Sequence, residues 1–164
     1  MTADAGFERD ALSHLDALYN FAVYLTRNPA EADDLVQETY LRAFRSLGAF
    51  AGRSSVRTWL LGIARRACAD HLRAVVRRRR LDARLAAQAL TDLPHPDPAY
   101  RLGAADLLQR LSEERRTAFV LTQVLGLSYA EAADVESVPV GTIRSRVARA
   151  RDELVTAVAE ARAS

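Results

Sequence analysis

The chain has no lysine, one cysteine and no uninterrupted apolar stretch of membrane-spanning length. Cys68 alone excludes an internal disulfide framework and a cysteine-built zinc site. The histidines, His14, His71 and His95, are scattered, so no metal site and no cofactor is expected. No apolar run approaches the roughly 20 residues a bilayer-spanning helix needs. The N-terminus lacks a signal-peptide pattern, and the expected location is the cytoplasm, with no membrane contact of the chain's own. No segment alternates with the period of two that marks a strand, so an all-α fold is expected. Paired catalytic carboxylates and nucleophile–base pairs are also missing, which argues against an enzyme.

What the chain has is arginine, and its distribution is uneven. All 23 basic residues are arginine, and the formal net charge is only +2. Residues 1–52 carry four arginines against eight acids, a net −4, whereas residues 53–80 carry nine against Asp70 alone, a net +8. Residues 81–137 return to −4, and residues 138–164 reach +2. Two basic blocks separated by acidic ones suggest two contacts with a polyanion.

Helical periodicity runs through almost every segment. A first helix is expected over 7–27, with Leu12, Leu15, Leu18 or Tyr19, Ala22 and Leu25 inward. Asn28-Pro29 supplies an N-cap and a first-position proline for a second helix to about residue 47. That helix buries Ala32, Leu35, Val36, Thr39, Tyr40, Ala43 and Phe44 and turns Asp33, Asp34, Gln37, Glu38 and Arg45 outward, an acidic face suited to docking a protein. Ser54 or Ser55 caps a long third helix to about residue 80, seamed by Val56, Trp59, Leu60, Ile63 and Ala67. Its place on the seam makes Trp59 a packing residue rather than a base-stacking platform, and Cys68 a small buried residue. Arg53, Arg57, Arg65, Arg66, Arg73 and Arg77–Arg80 make the element a phosphate-binding candidate whose affinity would fall steeply with salt.

The composition then changes. Three prolines within TDLPHPDP (91–98) are incompatible with a helix interior, so residues 81–102 read as a flexible linker between small helical domains at 1–80 and 103–164. The second domain starts with a helix over 104–111, followed by one capped by Ser112 that runs to Gly126. Ser128 and Glu131 form a capping box for a short helix to about residue 136, and a turn at Ser137-Val138 leads to a longer basic helix with Pro139 in its first turn. A short helix, a turn and a longer helix is helix-turn-helix spacing. Ile143, Val147, Ala150, Leu154 and Val158 form the inward stripe of the second helix, while Thr142, Ser145, Arg146 and Arg149 face out. Hydroxyls and guanidiniums on such an arc are the groups that read base edges and hold phosphates, and Arg144 and Arg151 at its flanks suit phosphate contact.

ADDLVQETYLRAF (32–44) with RTWLLGIARRACADHLR (57–73) resembles domain 2 of the bacterial extracytoplasmic-function sigma factors of the sigma-70 family. LSEERRTAFVLTQVLGLSYAEAADVESVPVGTIRSRVARARDEL (111–154) resembles domain 4 of the same group, and the likeness covers about three-quarters of the chain. The resemblance implies a transcription initiation factor that binds core RNA polymerase, reads −10 and −35 promoter elements and assists melting. Asp33, Asp34, Leu35, Gln37 and Glu38 would then dock on the clamp helices of the largest polymerase subunit, while domain 4 would meet the flap region. The segment 50–58, with Arg53, Ser54 and Arg57, would hold a flipped base of the −10 element, and Arg65, Arg66 and Arg73 would lie beside the upstream duplex. Thr142, Arg144, Ser145, Arg146 and Arg149 would serve the −35 element. An anti-sigma factor is the implied regulator, able to hold the protein at a membrane. The sequence departs from the family pattern at Arg66, where asparagine is usual, and at Glu136-Ser137, where an apolar residue and glycine are usual. The alternative reading is a stand-alone helix-turn-helix regulator that does not act through polymerase.

Overall fold

The structure is a computed structural model, described here over residues 2–85 and 103–163. Every regular element among the described residues is helical: α1 (Thr2–Ser13), α2 (Leu15–Thr26), α3 (Pro29–Arg45), α4 (Val56–Leu85), α5 (Ala104–Arg110), α6 (Glu113–Phe119), α7 (Tyr129–Glu136) and α8 (Val140–Ala163). A 3₁₀ turn spans Leu47–Ala49 and a π-helical turn spans Val120–Val124. No described helix is long and apolar enough to cross a membrane.

The expected helix over 7–27 is two helices, broken at His14, whose φ of −95° and ψ of 10° leave the helical region. The break resets the phase of the apolar face. Ala11, Leu18, Phe21 and Ala22 are buried, while Leu12 and Leu15 are exposed. Local chemistry defines α3 as expected: the Asn28 side chain accepts from the Ala30 N–H at 3.0 Å, and Pro29 occupies the first turn. Its buried face is Ala32, Leu35, Val36, Thr39 and Ala43, but Phe44 is exposed. Ser55 is the residue that caps α4, its hydroxyl accepting from the Thr58 N–H at 3.1 Å. That helix runs five residues past the expected end at 80, so the start of the expected linker is helical and residues 86–102 lie outside the described residues.

Trp59 packs in an aromatic group with Phe7 and Phe50, ring centres 5.7 and 5.0 Å away, which supports the packing role. Cys68 is buried, and burial pushes its thiol above its ordinary pKa, favouring the inert neutral form. In the second unit the expected helix from Ser112 to Gly126 changes character at Val120, where the π-helical turn begins, and Ser112 makes no side-chain capping bond. The Ser128–Glu131 capping box forms in both directions, at 2.8 and 3.1 Å. It draws the Glu131 carboxyl below its usual pKa, chiefly through the Ser128 backbone N–H.

The two units share one buried cluster. Leu18, Phe21, Leu61 and Ala64 from the first join Leu121, Val135, Ile143 and Val147 from the second. The seam between them is mainly α4 against α7, and Gly62 of α4 lies on it. A Cβ built there would lie 3.9 Å from Val135 Cα.

Candidate nucleic-acid interface

The helix-turn-helix is built by α7, a three-residue turn and α8. Ser137 ends α7 in the left-handed conformation, φ 55° and ψ 44°, so a serine supplies the geometry that glycine supplies at lower cost. The departure from the family pattern therefore leaves the turn intact. Pro139 lies one residue before α8 rather than within its first turn, and its carbonyl accepts from Thr142 and Ile143 at 2.9 and 3.4 Å. Ile143, Val147 and Ala150 are buried as the stripe predicts, with Leu154 partly buried. On the opposite arc Arg144, Ser145 and Arg149 are exposed and Thr142 is half-buried. No salt bridge among the described residues engages Arg144 or Arg149.

Arg146 is different. Its side chain is 17% exposed, and its guanidinium lies 3.5 Å from Glu136 and 3.4 Å from Glu114. Glu136, with a side chain only 3% exposed, also accepts from Arg65 Nε of α4 at 2.7 Å. Arg65 reaches Glu113 as well, at 3.0 Å. Burial works against the Arg65 charge, but the field and hydrogen bond of Glu136 outweigh it and hold the guanidinium above its ordinary pKa. One carboxylate at the end of α7 thus joins an arginine of the first unit to an arginine of the recognition helix.

The other arginines of residues 53–80 divide by position. Arg57 donates to the Leu125 carbonyl across the seam, and its neighbour Thr58 donates to Glu131 at 3.4 Å. Arg53, Arg66, Arg73 and Arg77–Arg80 are exposed, with Ser54 half-buried beside Arg53. The expected −10 set is therefore not one surface here, because Arg57 and Arg65 face the second unit while Arg53, Arg66 and Arg73 face solvent. Like charge also crosses the seam: burial and the nearby Arg27 push the Arg116 guanidinium below its ordinary pKa.

On α3, Asp33, Asp34 and Gln37 are exposed, Glu38 is half-buried and Leu35 is buried. Asp34, Leu35 and Glu38 line a groove of about 530 Å³ between α3 and α4, with Cys68 and His71 on the other wall. Glu38 accepts from Arg42 Nε at 2.7 Å, and Arg42 also holds Asp70 of α4 at 2.7 Å. Asp70, paired with Arg42 and then Arg73, has its carboxyl held below the usual range. This network fixes the angle between the acidic face and the basic helix. Among the described residues no group of His, Cys, Asp and Glu is placed to hold a metal.

Sequence reasoning missed two residues. Arg42 was legible as the partner of Glu38 by its i,i+4 spacing. Glu136 carried a subtler signal: an acid in the last turn of a helix opposes the macrodipole and calls for a cation from elsewhere.

The Sigma-70 region 2 family matches residues 11–80, and the Sigma-70 region 4 family matches residues 102–154. The chain is 46% identical over 144 residues to the ECF RNA polymerase sigma factor SigC of Mycobacterium tuberculosis, covering 84% of this chain and 75% of that one. Among solved structures it is similar to the sigma factor RpoE in complex with the anti-sigma factor NepR from Bartonella quintana, with TM-score 0.70, 30% identity, and 91% and 94% of the two chains covered. It is also similar to CnrH in complex with the cytosolic domain of CnrY, with TM-score 0.69, 27% identity, and 97% and 94% covered.

Proposed function

The chain belongs to the ECF RNA polymerase sigma factors and is a promoter-specificity factor for RNA polymerase, and from that premise we propose how its residues divide the work. Residues 1–80 form the unit that binds polymerase and opens the −10 element, and residues 103–164 form the unit that reads the −35 element. The acidic face of α3, with Asp33, Asp34, Gln37 and Glu38 around the buried Leu35, docks on the clamp helices of the largest subunit. The second unit meets the flap region.

Arg144, Ser145 and Arg149, with Thr142 beside them, enter the major groove, and their exposure on one arc of a well-seated helix is the observation that carries this reading. Arg146 joins them once Glu136 releases it. The segment containing Arg53 and Ser54 receives an extruded base, and Arg57, Arg65, Arg66 and Arg73 hold the adjoining phosphates. Unstacking a base costs a few kcal/mol, and capture in a pocket offsets it. No bond is made or broken by the protein itself, so it is a binding factor and not an enzyme. It works in the cytoplasm beside polymerase. A NepR-like or CnrY-like anti-sigma partner touching both units suits the alternation of acidic and basic blocks and could tether the chain at a membrane.

Abortive transcription with purified core polymerase tests the proposal. Promoter-dependent RNA above core alone is expected, and its absence would sink the reading. Arg149→Ala should reduce use of promoters with an intact −35 element while core binding persists. A stand-alone helix-turn-helix regulator explains α7 and α8 but leaves the acidic face of α3 and the arginines of α4 without a task.

A further inference from the structure

Helix α1 and the loop that leads into α4 hold each other through a group of aromatic rings. Phe7 of α1 lies 5.5 Å from Phe50 and 5.7 Å from Trp59, centre to centre, and Phe50 lies 5.0 Å from Trp59. The Phe7–Trp59 pair is edge-to-face, at 74° between planes, and the other two pairs are tilted. Ring quadrupoles favour such arrangements over face-to-face stacking. Between Gly48 and Arg53 every residue except Phe50 is exposed. Gly52 turns the chain at a φ of 65°, with nothing within 4 Å of where a Cβ would stand. Phe50 is therefore the side-chain anchor of this loop, and one of the two rings packed on it comes from α1. The far end of α1 is fixed as well: Ala11 is buried, and its carbonyl accepts from the Tyr40 hydroxyl of α3 at 2.9 Å.

We propose that Phe7 is a positioning residue for −10 recognition, holding Phe50 against Trp59 and, through Phe50, the loop 48–54 in the shape that receives an extruded base. The proposal rests on the assignment of Arg53 and Ser54 to that base. Phe7 acts through Phe50 and not on the base itself. A loop ordered in advance captures a base without paying for its own ordering at that moment, whereas a loose loop binds more weakly. Without the Phe7 ring, Phe50 keeps only Trp59 of its two ring partners, and the exposed run from Ala51 to Arg53 is freer to move. The loss should fall on base capture and spare polymerase docking, because Asp33, Asp34 and Gln37 are exposed on α3 and take no part in the ring group.

The test uses the full chain assembled with core polymerase and a labelled non-template single strand from a promoter that the complex transcribes, with binding read by fluorescence anisotropy. A series of strands, each abasic at one position of the −10 element, locates the extruded base as the position where the native complex loses most affinity. Phe7→Ala should weaken binding of the intact strand about tenfold, the upper end of what an aromatic pair contributes. On the strand abasic at the located position, native and variant should bind alike, since nothing is left for the loop to capture. Phe7→Tyr keeps the ring and should restore native affinity. Leu12→Ala, at an exposed position of the same helix, should leave affinity unchanged. Circular dichroism and assembly with core polymerase check that each variant is folded. Phe7→Leu, apolar but without the ring, takes the place of Phe7→Ala if that variant unfolds, and should weaken binding in the same sense.

Native affinity of the ring-less variant for the intact strand overturns the proposal. So does a deficit that persists undiminished on the located abasic strand, the mark of general damage to the unit. The native complex separates this failure from a larger one. If none of its abasic strands binds more weakly than the intact strand, the chain captures no −10 base, and the −10 reading falls together with the role of Phe7.

Discussion

From Val56 to Ala67, α4 lies against the second unit, and its arginines at 57 and 65 are bound to a carbonyl and to two carboxylates. From His71 to Arg80 the same helix is almost bare, with Leu72 and Val76 exposed beside Arg73 and Arg77–Arg80. Both stretches are basic, with three arginines in residues 56–67 and five in residues 71–80, yet one half is structure and the other is available surface. What separates them is the second unit, which brings Glu113, Leu125 and Glu136 from far along the chain to the arginines of the first half. A basic stretch read from sequence is therefore an upper bound on the charge a polyanion can meet, and the fold decides how much remains.

The comparison breaks most visibly at the core beneath each half. Leu61→Ala removes a side chain that is 1% exposed and shared by both units, and should cost about 2–5 kcal/mol. Leu72→Ala, at a position 45% exposed, should stay within about 0.5 kcal/mol. Denaturant unfolding of both variants gives the ratio directly. Equal costs would mean that α7 does not cover the first half as the structure has it.

Charge gives the next contrast. Arg65→Ala leaves Glu136 buried with Arg146 alone, at 3.5 Å, and should cost about 2 kcal/mol in urea unfolding, less than a fully buried pair because Glu113 is half exposed. The ends of α7 matter less. Ser128→Ala breaks the capping box that starts the covering helix and should cost about 1 kcal/mol. The Glu131 carboxyl is held below its usual value of 4.5, so its contribution is full above that pH and fades as pH falls through the lower, folded value. Ser128→Ala keeps the backbone N–H that chiefly lowers the Glu131 pKa, so the acid sensitivity of unfolding below pH 4.5 should be nearly that of the native chain.

How far the sequence reveals this arrangement depends on the range of the interaction. Asn28-Pro29, Ser55 and the Ser128–Glu131 box act within four residues, and the elements they start were legible. The inward stripe Ile143, Val147 and Ala150 and the exposed Arg144, Ser145 and Arg149 were equally legible, since helical periodicity alone divides them. The kink at His14 was not, because no glycine or proline marks it, and carrying one phase through it misassigned Leu12 and Leu15. Nor was the fate of Arg57, Arg65 and Arg146. Their partners are set by how two units pack, and only the unfavourable acid at Glu136 hinted that a cation would arrive from outside its helix.

The smallest expected effect on stability is also the sharpest test of the bare half. Arg77→Ala removes a guanidinium that is exposed and engaged in no salt bridge among the described residues. Unfolding should shift by less than about 0.5 kcal/mol, since nothing is left unpaired and no cavity forms. Binding to duplex DNA should respond differently. If Arg77 neutralises one phosphate, the slope of log K against log salt should flatten by about 0.9. Arg65→Ala should leave that slope nearly unchanged while the seam stays packed, because its guanidinium is already neutralised by Glu136 and Glu113. Salt titrations of the two variants on one duplex therefore invert their order in unfolding: the costlier substitution for the fold is the quieter one for DNA. Equal slopes in the two variants would show that coverage by the second unit does not decide which arginines reach phosphate.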